Sequence, residues 1–256
     1  MGIILGRVVL EFQSYEDKYM KQHNSNFFET YLTKMRMDKV AKFINKIRPK
    51  KILEIGCGLT PIFKYYKDYT LYTVVERSNI FCRKIFFDEN SETKQLQIIC
   101  GDIEDDEIVK ILTEMEVKYD FVILSSVLHF FNNPEKVLND IKKVCHENTM
   151  IYINVPNAES FHNYLGLCMG LREDLLELSN MDIDFGQVRK YTRYSLEKLM
   201  DECNFKRLYI GTYLIKPFSD KLMTLLIDDK LMYGLDRMTQ YLPFFGCEIY
   251  YVGKFK

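Results

Sequence analysis

The sequence has almost no net charge and no long apolar run. Lys and Arg number 35 against 36 Asp and Glu, so the net charge at pH 7 is -1. A protein that binds many phosphates needs a basic excess, so we expect neither nucleic acid nor an anionic membrane as partner. No apolar stretch reaches the length of a membrane-spanning helix, and Arg7 and Glu11 interrupt the apolar residues 2–6 too early for a signal-peptide core. We therefore expect a soluble, cytoplasmic protein, without membrane insertion, that acts on a small-molecule acceptor.

Cysteine pairs of the C-x-x-C type are also absent. The seven cysteines are scattered and odd in number, which favours neither a disulfide framework nor a zinc cage. We expect free thiols in a reducing compartment and no metal site. The chain also lacks internal repeats and low-complexity segments, so its 256 residues are expected to form a single domain with additions.

Short β-rich runs alternate with segments of helical periodicity. The predicted strands cover residues 51–55, 71–76, 97–100, 121–125, 150–155, 206–215 and 247–252. This alternation predicts βαβ units and a mostly parallel sheet that is covered by helices on both faces.

Three segments are predicted to be additions to this α/β domain. Residues 1–50 form an N-terminal helical segment, in which an amphipathic helix runs from Met35 to just before Pro49. Residues 156–192 form a substrate cap. Residues 219–242 form a helical insertion rich in Leu and Met, which is either core or a homodimer contact.

Gly56 and Gly58 follow the first of these strands, in the run Glu54-Ile55-Gly56-Cys57-Gly58. Glycines there permit a tight turn and a close approach of a ligand to the backbone. By itself the pair is equally compatible with an ordinary strand-to-helix turn. Glu76 closes the next strand about twenty residues on, where a carboxylate can accept hydrogen bonds from ribose hydroxyls.

Two residues argue against a dinucleotide as the ligand of the glycine loop. A dinucleotide-binding loop has a third glycine where this chain has Pro61, and proline offers no N–H to a phosphate. The carboxylate of Glu54 would repel a pyrophosphate but not a sulfonium group. The ligand is therefore expected to be cationic, and an NAD-dependent enzyme is only a low-ranked alternative.

Asp102 and Ile103 come directly after the third strand. Asp102 can accept a hydrogen bond from an adenine amino group while Ile103 covers the ring, at the sheet edge where ligands bind. Because residues 104–107 are all acidic, a solvated helix start is the alternative.

Four motifs in register resemble those of class I S-adenosylmethionine-dependent methyltransferases. They cover residues 53–58, 74–77, 101–103 and 119–129. The resemblance implies a Rossmann-like, seven-stranded, mostly parallel sheet whose last strand is antiparallel. It also implies S-adenosyl-L-methionine as cofactor and S-adenosyl-L-homocysteine as product.

This resemblance also assigns cofactor contacts. The residues assigned to the cofactor are Glu54, Gly56, Cys57, Gly58, Glu76, Arg77, Asp102, Ile103, Ser125 and Ser126. In that assignment Glu54 and the glycine loop contact the methionine part, Glu76 contacts the ribose, and Ser125 lies beside the sulfur.

Two further stretches resemble small-molecule methyltransferases. Residues 128–134 are similar to a loop of the enzymes of ubiquinone biosynthesis, and residues 154–162 and 184–192 resemble the cap of bacterial enzymes that methylate sugars or surface-polysaccharide precursors. The expected reaction is O-methylation of a small soluble, anionic metabolite, such as a nucleotide-activated or phosphorylated saccharide precursor. The alternative is a catalytically silent, methyltransferase-like subunit that acts through protein contacts of residues 219–242.

His129 is the leading candidate for a general base, because it follows the fourth strand and its ordinary pKa is near neutrality. A loop histidine that orders the backbone is the alternative. His162, in the predicted cap, is the second candidate. The candidate substrate-binding residues are Asn157, Arg172, Arg189 and Tyr191. The arginines could receive a phosphate or carboxylate, although a solvated surface would explain the same charges.

Overall fold

The computed structural model describes residues 3–5, 16–17, 20, 27–88 and 96–256. The strands are β1 (Ile3–Leu5), β2 (Lys51–Ile55), β3 (Leu71–Glu76), β4 (Leu96–Cys100), β5 (Tyr119–Ser125), β6 (Cys145–Pro156), β7 (Phe205–Tyr213) and β8 (Glu248–Phe255). The α-helices are α1 (Phe27–Ile47), α2 (Asn79–Asp88), α3 (Asp106–Glu114), α4 (Pro134–Lys142), α5 (Phe161–Cys168), α6 (Asn180–Asp184), α7 (Arg193–Glu202), α8 (Asp220–Leu226) and α9 (Asp229–Arg237). Most of the N-terminal segment before residue 27, including Tyr15 and Tyr19, lies outside the described residues.

The strands form one sheet in the order β1-β4-β3-β2-β5-β6-β8-β7. Strand β8 is antiparallel to both of its neighbours, β6 and β7, and the other neighbouring strands are parallel. The predicted Rossmann-like sheet with an antiparallel last strand is therefore confirmed. The three-residue strand β1 adds an eighth strand at one edge, which the residue pattern did not predict.

Strand β5 lies at the centre of the sheet. Residues 121–124 of this strand are fully buried, as expected for a parallel strand that is covered on both faces. Two large apolar clusters lie on the two sides of the sheet, one with α3, α4 and α7 and the other with α1 and α2. The carboxyl ends of β2, β3, β4 and β5 consequently lie side by side at one edge.

Helix α1 begins at Phe27, eight residues earlier than the predicted start at Met35. Its first turns bury Phe28 and Leu32 in a third apolar cluster, together with residues of α8 and α9 such as Met223 and Met232. These N-terminal residues pack in a cluster that joins the 219–242 segment to Tyr213 of β7. A prediction that assumes one buried face along the whole helix therefore leaves out these first turns.

The expectation of seven free thiols is wrong for one pair. The structure joins Cys82 of α2 to Cys100 of β4 by a disulfide, with their Cα atoms 6.2 Å apart. Helix α2 follows β3 and packs beside β4, so the crossover brings together two residues that are 18 positions apart. The other cysteines are free: Cys57, Cys145, Cys168, Cys203 and Cys247.

Two kinds of feature are absent from the described residues. None of the helices among them has the length and apolar character needed to cross a bilayer. Within the same residues, no group of three or more His, Cys, Asp or Glu side chains is arranged to hold a metal ion.

Candidate active site

A cavity of about 660 Å³ opens at the carboxyl ends of β2 to β5. Its inner wall consists of the residues that end or follow these strands, at 55–58, 75–77, 101–103 and 125–127. Helix α1, parts of residues 156–190 and residues 216–221 contribute the outer wall. The cavity therefore lies where open α/β sheets bind their ligands.

The glycine loop forms the floor of the cavity. Gly56 adopts a φ of 68° and Gly58 a φ of 55°, in the left-handed region that favours glycine. A Cβ atom at Gly56 would lie 2.4 Å from Cγ2 of Val127, so the loop leaves no room for a side chain. A ligand can therefore approach bare backbone here, which fits the methionine part of the expected cofactor.

Glu76 is buried at the cavity wall and ties the glycine loop to the next strand. Its Oε2 accepts a hydrogen bond from Gly58 N at 2.9 Å, and its Oε1 accepts one from Ser78 N at 2.9 Å. Burial raises the pKa of this carboxyl. The Cys57 thiol is a third donor, 4.0 Å from Oε2. An ionised carboxylate has about four acceptor positions, so at least one remains for a ribose hydroxyl. Arg77 also lines the cavity, with its guanidinium 5.7 Å from the centre of the Phe130 ring.

Glu54 is not part of the cavity wall. Its carboxylate lies beneath the loop, where it accepts hydrogen bonds from Ile62 N at 3.0 and 3.2 Å and from the Tyr72 hydroxyl at 2.6 Å. Burial raises its pKa to about 7. The structure thus gives Glu54 the role of holding the turn after Gly58, because both of its oxygens are already engaged with the protein.

Asp102 and Ile103 both line the cavity. Asp102 Oδ1 accepts a hydrogen bond from Glu104 N at 3.0 Å, and burial raises the pKa of its carboxyl. Ile103 is almost fully buried and presents an apolar face. This pairing of an acceptor with an apolar surface fits the edge and face of an adenine ring.

Ser125 and Ser126 line the cavity at the end of β5. The Ser125 hydroxyl donates to Asn154 Oδ1 at 2.8 Å, and Ser126 takes a φ of 57° while its N–H donates to Asn154 O at 3.0 Å. Cys57 faces the same space, and burial raises the pKa of its thiol well above the usual range. The thiol therefore stays neutral and acts as a small apolar wall.

His129 lies on the cavity wall, in the turn after β5, and is almost fully buried. Burial, with a further contribution from the positive charge of Arg36, lowers its pKa to about 3. Its backbone carbonyl accepts a hydrogen bond from Val188 N, and its Nδ1 has no hydrogen-bond partner among the described residues. The imidazole is therefore neutral at physiological pH and a weak base before any ligand binds.

His162 faces the same cavity from α5. Burial and then the positive charges of three neighbours lower its pKa to about 2. Its Nδ1 lies 3.0 Å from the Ser160 hydroxyl. The three cationic neighbours also line the cavity: Lys216, Arg172 and Lys190. Lys190 and Lys216 are paired with acidic residues of the same wall, Asp182 and Asp220.

Of the candidate substrate-binding residues, Arg172 and Asn157 line the cavity and the other two do not. Arg189 instead donates to the carbonyls of Phe131 and Asn132, so it fastens the loop after β5. Tyr191 is buried in the apolar cluster beneath that loop. Neither residue therefore lines the cavity, and a direct contact of either with the acceptor stays a prediction.

Asn157 has a side chain that is already engaged. Its Nδ2 donates to the carbonyls of Phe244 and Gly246, and its Oδ1 accepts from Glu159 N. It therefore joins the start of the predicted cap to the segment before β8, and its direct use for substrate would break these bonds.

Sequence patterns missed a group of charged residues on the outer wall. Glu29, Arg36, Lys216, Asp220 and Glu248 all line the cavity. They come from α1, from the segment before α8 and the first residue of that helix, and from the start of β8, so no single motif contains them. Burial raises the pKa of Glu29 to about 7, against the opposing effect of Arg36.

Comparisons with known proteins point to one family. Residues 28–209 match the family described as "Methyltransferase domain". No curated protein sequence matches the chain. The fold is similar to that of the plantazolicin methyltransferase BamL, solved with a triazolic desmethylPZN analog and SAH. That structure has 17% identity and a TM-score of 0.57, covering 96% of this chain and 91% of that chain.

Two other solved structures share the fold. A methyltransferase from Thermotoga maritima has 14% identity and a TM-score of 0.58, covering 96% of this chain and 98% of that chain. A methyltransferase of Haloferax volcanii, solved in complex with the Trm112 methyltransferase activator, has 10% identity and a TM-score of 0.56, covering 95% of each chain. Since the family match extends over most of the sequence, the chain belongs to the methyltransferase-domain family and is an S-adenosylmethionine-dependent methyltransferase.

Proposed function

We propose that this methyltransferase transfers a methyl group to an oxygen of a small, anionic acceptor. The observation that carries the proposal is a single cavity that joins the glycine loop to His129 and to three cations around His162. Cofactor and acceptor would occupy its inner and outer halves. A phosphorylated or nucleotide-activated saccharide precursor is an acceptor of this kind.

In this proposal the main role of the protein is to position the cofactor and the acceptor relative to each other. The bound sulfonium cofactor supplies an electrophilic methyl group and a neutral thioether leaving group. Gly56, Glu76 and Asp102 would hold its methionine, ribose and adenine parts, and the outer wall would hold the acceptor oxygen in line with the methyl group. Such positioning contributes about 7 to 11 kcal/mol to catalysis.

His129 would hydrogen-bond the acceptor hydroxyl through its neutral imidazole and take up the proton as the methyl group is transferred. General bases contribute about 100-fold to 10,000-fold. Because burial lowers the pKa of His129 to about 3, we expect a contribution near the lower end of that range. His162, held by Ser160 and surrounded by cations, would position the acceptor in its neutral form.

The anionic part of the acceptor would bind beside Arg172. Lys190 is paired with Asp182, and Lys216 is paired with Asp220. No acidic residue of the described chain forms an ion pair with Arg172, and its Nη1 is buried there without a hydrogen bond. A phosphate or carboxylate would supply that partner.

Calorimetry and turnover test this proposal. S-Adenosylmethionine should bind at micromolar concentration, and sugar phosphates and nucleotide sugars should stimulate S-adenosylhomocysteine formation more than the uncharged parent sugars. The Arg172→Gln variant should lose that preference and still bind the cofactor. Absence of cofactor binding would refute the cofactor assignment, and equal rates with charged and uncharged sugars would refute the anionic acceptor.

A second candidate function is protein contact through residues 219–242. Apolar side chains such as Leu222, Leu225 and Tyr241 are exposed there, and a homodimer or a partner protein could cover them. Light scattering separates the two functions. A monomer that turns over an acceptor excludes the silent subunit, whereas a dimer without turnover favours it.

A further inference from the structure

The exposed apolar side chains are concentrated in two segments. Among the described residues, twenty large hydrophobic side chains are exposed, and sixteen of them lie within residues 161–188 and 218–244. The remaining four are Tyr65, Tyr194, Leu208 and Tyr209. A monomeric protein rarely collects so much apolar surface in one region without a ligand or partner for it.

Both segments border the cavity mouth. Met181 is exposed to solvent and also lines the cavity. Leu171 directly precedes the cavity residue Arg172, and Leu222 directly follows the cavity residue Lys221. Both segments thus contribute residues to the cavity wall, and Met181 is both exposed and part of that wall. We call the exposed apolar side chains of the two segments the apolar rim.

A molecule that binds the rim has to cover exposed apolar side chains of both segments. A homodimer through residues 219–242 alone would leave Met169, Leu171 and the other exposed residues of the 161–188 segment uncovered. A ligand seated in the mouth would contact both segments, because each of them lines the same cavity.

We propose that the acceptor is an amphiphile, with a polar head in the outer cavity and an apolar chain on the rim. This inference rests on the proposed function, because the head carries the oxygen that receives the methyl group. The cations around His162 would hold the head. Side chains such as Leu171, Met181 and Leu225 would remove the apolar chain from water.

The test uses two series of probes and the protein saturated with S-adenosylhomocysteine. Butyl and decyl phosphate form the anionic series, and butyl and octyl glucoside form the neutral series, all below the concentration at which they form micelles. Each methylene that is fully buried tightens binding about fourfold. Burial of only two added methylenes in a series would therefore give a gain of at least tenfold.

Two variants show whether the rim causes the gain. The double change Leu171→Asp and Leu225→Asp alters the side chains that are 74% and 76% exposed, so the fold should tolerate it. It should abolish the chain-length gain and leave butyl phosphate binding unchanged. Leu208→Asp, an exposed leucine on β7 outside both segments, should keep the gain.

The outcomes separate this inference from the proposed function. No chain-length gain in either series, or a gain that survives the double change, overturns the amphiphilic acceptor. A dimer that is broken by the double change also overturns it, because a second copy would then cover the rim. Equal binding of the phosphate and glucoside probes would refute only the anionic character of the acceptor's head. Vesicles of phosphatidylcholine distinguish the source, since binding to them without added probe would mean that the rim takes its amphiphile from a bilayer.

Discussion

Arg36 of α1 and Glu248 at the start of β8 form a buried, bidentate ion pair beside the cavity. Arg36 Nε lies 3.1 and 3.2 Å from the two carboxylate oxygens, and Nη2 donates to Oε1 as well. The Tyr213 hydroxyl and Asn154 Nδ2 donate to Oε2 of the same carboxylate. This network fixes α1 over the end of the sheet, since Asn154 is also bonded to Ser125.

Removal of Arg36 should leave the carboxylate of Glu248 buried without its cation. The Arg36→Met variant should lower the free energy of unfolding by about 3 to 5 kcal/mol, measured by urea denaturation. Lys39→Met, on the same helix, breaks the more exposed pair with Asp236 and should cost at most about 1 kcal/mol. Equal effects of the two changes would contradict the buried network.

Gly56→Ala should damage the cofactor loop. The added Cβ would meet Val127 Cγ2 at 2.4 Å, whereas Gly170 has almost the same φ, 69°, with nothing within 4 Å. Gly170→Ala should therefore cost only the left-handed strain of about 1 to 2 kcal/mol. Gly56→Ala should cost more and weaken S-adenosylhomocysteine binding at least tenfold by calorimetry. Unchanged binding would show that the loop does not contact the cofactor.

Glu54 should make stability depend on pH. Its pKa is about 7 in the folded protein against an ordinary 4.5, so its contribution is fully present below about pH 4.5 and is lost as the pH rises through 7. Glu54→Gln cannot ionise. Between these pH values, the unfolding free energy of the variant should improve relative to the native protein by on the order of 3 kcal/mol. A constant difference would contradict the raised pKa.

His129 should remain neutral across the physiological range. Because its pKa is lowered to about 3, its ring resonances should show no titration between about pH 5 and 8 in NMR spectra. Because folding lowers the pKa of His129, the neutral ring contributes to the free energy of unfolding above the ordinary pKa of about 6.5. This contribution is lost as the pH falls toward 3. His129→Gln identifies the resonance, and a midpoint near 6.5 would refute the buried ring.

The disulfide can be tested by counting thiols. Unfolded, unreduced protein should expose five reactive thiols, and reduced protein should expose seven, because Cys82 and Cys100 are paired. Peptide mapping should recover these two residues in one cross-linked fragment. In the chain-entropy view, a loop of this length stabilises the fold by about 3 kcal/mol. Detection of seven thiols without a reductant would contradict the disulfide and support seven free cysteines.

The sheet and the inner half of the cavity could be predicted from residue patterns alone. Short apolar runs between segments of helical periodicity indicated the seven longer strands. A parallel strand that is buried on both faces needs such a continuous apolar run. The glycines at 56 and 58 and the acidic residues Glu76 and Asp102 could be located in the same way. Each of them lies within a few residues of a strand end, so local spacing is sufficient to place it.

Contacts between distant elements could not be predicted in this way, and these contacts place the remaining side chains around the cavity. The pair of Arg36 with Glu248 spans 212 positions, and the pair of Cys82 with Cys100 depends on the packing of α2 beside β4. Glu54, Arg189 and Tyr191 carry the residue types of a ligand site, but none of the three lines the cavity. Residue type and spacing fix what a side chain can do, whereas burial and orientation depend on contacts between segments far apart in the chain.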